Sequence, residues 1–216
     1  MKEWDRVALD SIGIHQLAFY DYQLLRAIRS GTPILNAACA QDIPDFGRFG
    51  AVNLDVRDPD QLRRLGLKIP LNYQQGSVFD MPFPDASFQT VVLGEFLEHC
   101  QEEVGNAAVA ECTRVLRPGG HLVITLPLDG RPNGHNRAGD PEGTDEEHEG
   151  PWERSAFEKE RGEWSPGVTV HHQTWWSNKM LWELRVANGL VETDRVSLIY
   201  GFTAPVTGWG LTWRKP

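Results

Sequence analysis

Five short apolar runs, "PILNAACA", "GAVNLDV", "LNYQQGSV", "QTVVLG" and "HLVITLPL", succeed one another between residues 33 and 128, with helical stretches set among them. This alternation is what most constrains the fold. "PDQLRRLG" separates the second run from the third. "EFLEHCQEEVGNAAVAECTRVL" separates the fourth from the fifth and ends at "RPGG", a helix stop. "HQLAFYDYQLLRAI", with apolar residues at helical spacing, precedes the first run. Strands that alternate with helices must return on the same side of a sheet through crossovers, so the chain is expected to form an α/β fold with a mostly parallel sheet.

The pattern changes after Pro127. Residues 129–170 are rich in Gly, Pro and acid, include "GDPEGTDEEHEG", and show little periodicity, as expected of an inserted, lid-like loop. Helical spacing returns in "WWSNKMLWELRVANG", and "LVETDRVSLIYG" and "GWGLTWRK" read as two strands. At 216 residues the expectation is one domain spanning 1–216 with that loop inserted.

A formal charge of -9 and a pI near 5.2 argue against a protein whose task is to clamp long phosphate backbones. No run of 18 apolar residues occurs, and "MKEWDRVALD" lacks a secretory pattern, so a soluble, cytoplasmic protein is expected. Cys39, Cys100 and Cys112 show no CxxC spacing and read as ordinary buried thiols.

Ligands of such sheets bind beyond the carboxyl ends of the strands. Asp55 closes the second run, where a carboxylate can accept both ribose hydroxyls of an adenosine. "GSVFDMPFPDASF" follows the third run. With these segments in hand, the chain resembles the class I S-adenosylmethionine-dependent methyltransferases. "VNLDV" is similar to their second-strand acid, "GSVFDMPFPDASFQTVV" to their next signature, and "RVLRPGGHLVIT" to their approach to the fifth strand.

The resemblance implies a Rossmann-like, seven-stranded, mostly parallel sheet with helices on both faces. Its last strand, "GWGLTWRK", would be antiparallel. It implies S-adenosyl-L-methionine as cofactor, held by Asn36, Ala38 and Ala40 after the first strand, Asp55 and Val56 after the second, and Ser77, Val78, Asp80 and Gly94 further on. The chain departs from the family at "LNAACAQD", where Asn36 replaces an acid and Ala38, Ala40 and Asp42 replace glycines. Alanine is compatible with close backbone approach if its φ stays negative; Asp42 is the larger departure. A degenerate fold that no longer binds the cofactor is the alternative this departure raises, and the other motifs weigh against it.

"GEFLEHC" raises the second question. If it opens the fourth-strand helix, Glu95, Glu98 and His99 lie at i, i+3 and i+4, on one face. Such a face is a metal site, a general base with its helper, or the wet side of a helix start. The segment resembles two methyltransferase groups, the small-RNA 2′-O-methyltransferases and the ubiquinone-pathway O-methyltransferases. The first of these implies a divalent ion, Mg²⁺ or Mn²⁺, on Glu95, Glu98, His99 and His172, with His171 the competitor of His172. His99, His172 and Glu95 are then the candidates for moving the acceptor's proton.

Trp164, Trp175, Trp176 and Trp182 form either an aromatic acceptor wall or helix core, with Trp182 assigned to core. His135 lies in the loop beyond the fifth strand. The leading expectation is O-methylation of a small or sugar-like acceptor. The rivals are an RNA 2′-O-methyltransferase, disfavoured by the acidic balance, an N- or C-methyltransferase, and a non-catalytic binding protein of the same fold.

Overall fold

In the computed structural model the described residues are 14–39, 46–64, 66, 68–127, 163–165, 168–169, 174, 176–200 and 206–216. Helix α1 (Ile14–Ser30) leads into β1 (Ile34–Ala37). Strand β2 (Val52–Asp55), helix α2 (Pro59–Arg64) and strand β3 (Tyr73–Gln75) follow. Strand β4 (Phe88–Gly94), helix α3 (Glu102–Val115) and strand β5 (Leu116–Pro127) complete the first half. A two-stranded pair, β6 (Glu163–Ser165) and β7 (Val168–Thr169), precedes α4 (Asn178–Ala187), β8 (Val191–Tyr200) and β9 (Val206–Arg214).

The sheet has seven strands in the order β3-β2-β1-β4-β5-β9-β8. β3, β2, β1, β4 and β5 pair in parallel, while β9 runs antiparallel to both β5 and β8. The expected Rossmann-like sheet is therefore present, and the "GWGLTWRK" segment supplies its antiparallel strand, inserted between β5 and β8.

Side chains alternate across this sheet as a strand period of two requires. On β4 and β5, Val91, Leu93, Leu122 and Ile124 enter one core with Val109 and Cys112 of α3 and Leu181 and Leu184 of α4. Val92 and Val123 point the other way, into a core shared with Tyr22 and Ala27 of α1. Helices thus cover both faces, and the central strands read as continuous apolar runs because neither face meets water. Cys39, Cys100 and Cys112 are buried free thiols, as expected.

Three details differ from the sequence reading. The "RPGG" stretch is not only a helix stop: β5 already begins at Leu116, and Gly119 N–H donates to Lys215 O at 2.8 Å while Lys215 N–H donates to Gly120 O at 2.9 Å. The carboxyl-terminal end of the chain offers the pairing groups that draw these residues into the sheet. Trp182 is 54% exposed rather than core, because α4 packs through Leu181 and Leu184 and the intervening position points outward. Within the expected loop β6 pairs antiparallel with β7, and buried Val168 bridges to Cys100. Residues 129–162, with His135, lie outside the described residues. Among the described residues no helix is long and apolar enough to cross a membrane.

Candidate active site

Strand β1 has β2 on one side and β4 on the other, so the chain order reverses there. Sheets of this kind leave their ligand crevice at the carboxyl ends of such strands. The residues at those ends are Ala37–Cys39, Asp55–Arg57 and Gly94–Phe96.

After β1, Ala38 takes φ 54, so the condition that alanine keep a negative φ is not met. The backbone adopts the left-handed conformation a glycine would favour, at a cost for alanine of about 1 kcal/mol. Cys39 N–H donates to Leu54 O at 2.9 Å, tying this turn to β2. Asn36 is buried, and its Nδ2 donates to Asn53 Oδ1 at 2.9 Å, so it serves the β1–β2 seam. Ala40 and Asp42 lie outside the described residues.

Asp55 ends β2 and is buried, with Oδ1 accepting from Arg57 N–H and from Arg57 Nη1, each at 3.1 Å. Val56 beside it is exposed. Gly76 N–H donates to Asp55 O at 2.8 Å, which places the "GSVFD" turn next to that carboxylate. Within the turn, Ser77 Oγ accepts from Phe79 N–H at 3.1 Å and Ser77 bridges to Asp80. The Ser77 hydroxyl thus caps its own turn, Asp80 is exposed, and Val78 is buried.

The expected continuous helix from Glu95 is not formed. Glu95 has φ 51, Leu97–His99 makes a single 3-10 turn, Cys100 is extended, and α3 starts only at Glu102. The one-face argument for Glu95, Glu98 and His99 therefore fails in its geometry. The break has a tertiary cause: Trp176 Nε1 donates to Leu97 O at 2.8 Å, Thr174 N–H donates to Glu98 O at 3.2 Å, and Val168 bridges Cys100. The late segment takes up carbonyls that a continuing helix would have used internally.

The two carboxylates nevertheless end up together inside the protein. Glu95 Oε1 and Glu98 Oε2 are buried with no hydrogen-bond partner among the described residues. Burial pushes the Glu95 carboxyl up to about 7, with the Thr125 hydroxyl opposing the shift as a hydrogen-bond partner. Glu98 is raised well above the ordinary carboxyl range, first by burial and then by the Glu95 charge. Tyr20 of α1 is raised by burial and further by the Glu95 charge. His99 Nε2 lies 4.0 Å from Glu98 Oε1.

Of the four expected ligands of a divalent ion, the described residues include Glu95, Glu98 and His99. Among the described residues no group of three or more His, Cys, Asp or Glu side chains is arranged to hold a metal. His171 and His172 lie outside the described residues.

Gln23, Thr125, Tyr20 and Arg57 were not singled out from the sequence. A glutamine on the apolar stripe of a helix was the available signal for Gln23, since such a residue must find a buried partner. Its Nε2 donates to Thr125 Oγ1 at 2.6 Å, and Glu95 N–H donates to Thr125 O at 2.9 Å. Gly94, expected at the cofactor, also makes room for this contact: a Cβ there would lie 2.2 Å from Gln23 Nε2. Gly94→Ala should therefore expel the amide and destabilise the protein by about 1–3 kcal/mol. Urea unfolding of Gly94→Ala, Gln23→Ala and the double variant checks this: the double variant should lose little beyond Gln23→Ala alone.

Residues 44–124 match the family described as the methyltransferase domain. A protein of Mycolicibacterium smegmatis named "Probable S-adenosylmethionine-dependent methyltransferase" is 31% identical over 112 residues, covering 49% of this chain and 42% of that protein. A ubiquinone/menaquinone biosynthesis C-methyltransferase of Enterobacter sp. (strain 638) is 27% identical over 127 residues, covering 56% of this chain and 47% of that one. The chain thus spans under half the length of these two relatives. Among solved structures, the 1,6-didemethyltoxoflavin-N1-methyltransferase of Burkholderia thailandensis, with S-adenosylhomocysteine bound, has the same fold: TM-score 0.60, 16% identity, 92% of this chain and 78% of that one. The fold and the matched segment agree. Over residues 44–124 the chain is similar to methyltransferase domains, and the described residues share the fold of the solved methyltransferase.

Proposed function

We infer that the protein transfers a methyl group from S-adenosylmethionine to the oxygen of a small hydroxyl-bearing acceptor, with Glu95 as the base. The observation that carries this reading is the buried Glu95 carboxyl at the end of β4, poised near neutral pH and backed by Thr125. A base with a pKa near the working pH is both ionised and basic enough to take a hydroxyl proton.

The residues present fit the cofactor. Asp55 is a buried carboxylate at the end of β2, suited to accept from ribose hydroxyls, and Ala38 already holds the backbone conformation that a glycine would supply. When bound, S-adenosylmethionine supplies an electrophilic methyl group on a sulfonium. Glu95 accepts the acceptor's proton, and burial beside Glu98 and Tyr20 keeps that proton from exchanging with bulk water. Thr125, held by Gln23, orients the carboxylate. No step is assigned to a metal ion. The acidic balance of the chain favours a small molecule over nucleic acid as acceptor.

A second reading, methylation at carbon, is favoured by the name of the Enterobacter relative. It uses the same base, because removing a phenolic or enolic proton also makes the adjacent carbon nucleophilic. The test is calorimetry with S-adenosylmethionine and S-adenosylhomocysteine, followed by mass spectrometry of phenolic and aliphatic hydroxyl acceptors incubated with the protein. Saturable binding and an O-methylated product support the proposal, with turnover unchanged by exhaustive chelation. A C-methylated product moves it to the second reading. No binding at millimolar cofactor overturns both.

A further inference from the structure

The sequence assigns the Asp55 carboxylate to the ribose, yet the fold already gives it a partner. Arg57 lies two residues on and is as buried as Asp55, each side chain being 5% exposed. Both its backbone N–H and its Nη1 donate to the same oxygen, Oδ1. The surrounding backbone is pinned from β3: Tyr73 Oη donates to Arg57 O at 2.5 Å, and Gln75 Nε2 donates to Val56 O at 3.2 Å. The turn therefore cannot carry Arg57 away as a unit, so displacement is a movement of its long side chain.

A ribose diol that engages a carboxylate through both hydroxyls needs one lone pair on each oxygen. Oδ1 already carries two donors, one of them charged. We propose that Arg57 is an internal competitor of the cofactor ribose: its guanidinium occupies the Asp55 oxygen that a hydroxyl would use, and ligand binding displaces it. This rests on the reading of the site as one for S-adenosylmethionine. The competition sets affinity, because exchange of a charged donor for a neutral hydroxyl is unfavourable by itself. It also stabilises the buried Asp55 carboxylate while no ligand is bound.

Two quantities should then move in opposite directions on removing the guanidinium. Arg57→Met keeps the apolar stem and deletes the fork. The ligand-free variant should unfold at lower urea than the wild type, while S-adenosylhomocysteine, measured by calorimetry, should bind it about 10-fold tighter. Arg57→Lys, the gentler change, retains a charge without the planar fork and should fall between the two. The analogue of S-adenosylhomocysteine lacking both ribose hydroxyls should show the same affinity for wild type and variants, because it does not contest Oδ1.

Equal or weaker binding of S-adenosylhomocysteine by both variants, with the wild type binding normally, overturns the inference and leaves the methyltransferase reading standing. A gain of the same size for the analogue lacking the hydroxyls also overturns it. Binding by none of the three proteins overturns the reading and the inference together.

Discussion

Raising the pH from 5 to 8 should destabilise this protein, and Glu95→Gln should remove much of that loss. Glu95 moves from an ordinary 4.5 to about 7 on folding because burial penalises its charge. The sign follows from the folded state holding its proton more tightly than the unfolded one. The stabilising contribution is complete below the unfolded carboxyl value and disappears as pH rises through about 7. For this one carboxyl the difference is on the order of 3 kcal/mol. Glu98 acts in the same direction, being raised by burial and by the Glu95 charge.

Glu111 and Glu192 work the other way, since Arg114 and Arg195 hold their carboxyls low, so their contributions are lost only on acidification below the ordinary carboxyl range. Urea unfolding at pH 5, 6, 7 and 8 separates the two groups. The wild type should lose stability across that range, and Glu95→Gln should show a flatter profile and exceed the wild type at pH 8. Parallel profiles for the two proteins would mean that Glu95 is not buried in charged form above neutrality. If Glu95 is the base proposed above, methyl transfer should show the complementary trend and rise through about pH 7.

The second large effect concerns the clamp on the same turn. Trp176 is 2% exposed, donates from Nε1 to Leu97 O at 2.8 Å, and lies so close to α3 that a Cβ on Gly105 would sit 2.6 Å from its Cζ2. Trp176→Ala should cost about 3–5 kcal/mol, the range for emptying a large buried aromatic site. Trp176→Phe, which retains ring volume but loses the indole donor, should cost about 1–3 kcal/mol.

The functional consequence is local. With the clamp gone, the Leu97–His99 turn loses its anchor, and Cys100, fully buried behind it, becomes open to thiol reagents. Mass mapping after brief alkylation should therefore show Cys100 modified in Trp176→Ala well before Cys112, which is held between α3 and the sheet. Equal protection of Cys100 in variant and wild type would show that Val168 and Thr174 hold the turn without the tryptophan.

The sheet itself was legible in the chain. Apolar runs of strand length alternating with helical stretches leave few topologies, and the ordered segments around Asp55, Ser77 and "RPGG" point to one of them. The antiparallel direction of β9 followed from the resemblance and is confirmed by its pairing with β5 and β8. What misled was local spacing at "GEFLEHC". Helical periodicity ran through Glu95, but Trp176 and Thr174, nearly eighty residues later in the chain, take the Leu97 and Glu98 carbonyls and stop the helix from starting there.

Sequence by itself determined the fold class and the strand ends around which the candidate site is sought, because both depend on short-range period and order. Tertiary structure alone decided that Ala38 adopts a positive φ, that Asp55 faces Arg57, and that Gln23 reaches Thr125 behind Glu95. Those outcomes turn on which donor meets which acceptor once the chain is folded, and on how far burial shifts a carboxyl. No residue carries that information until its neighbours from other elements are in place.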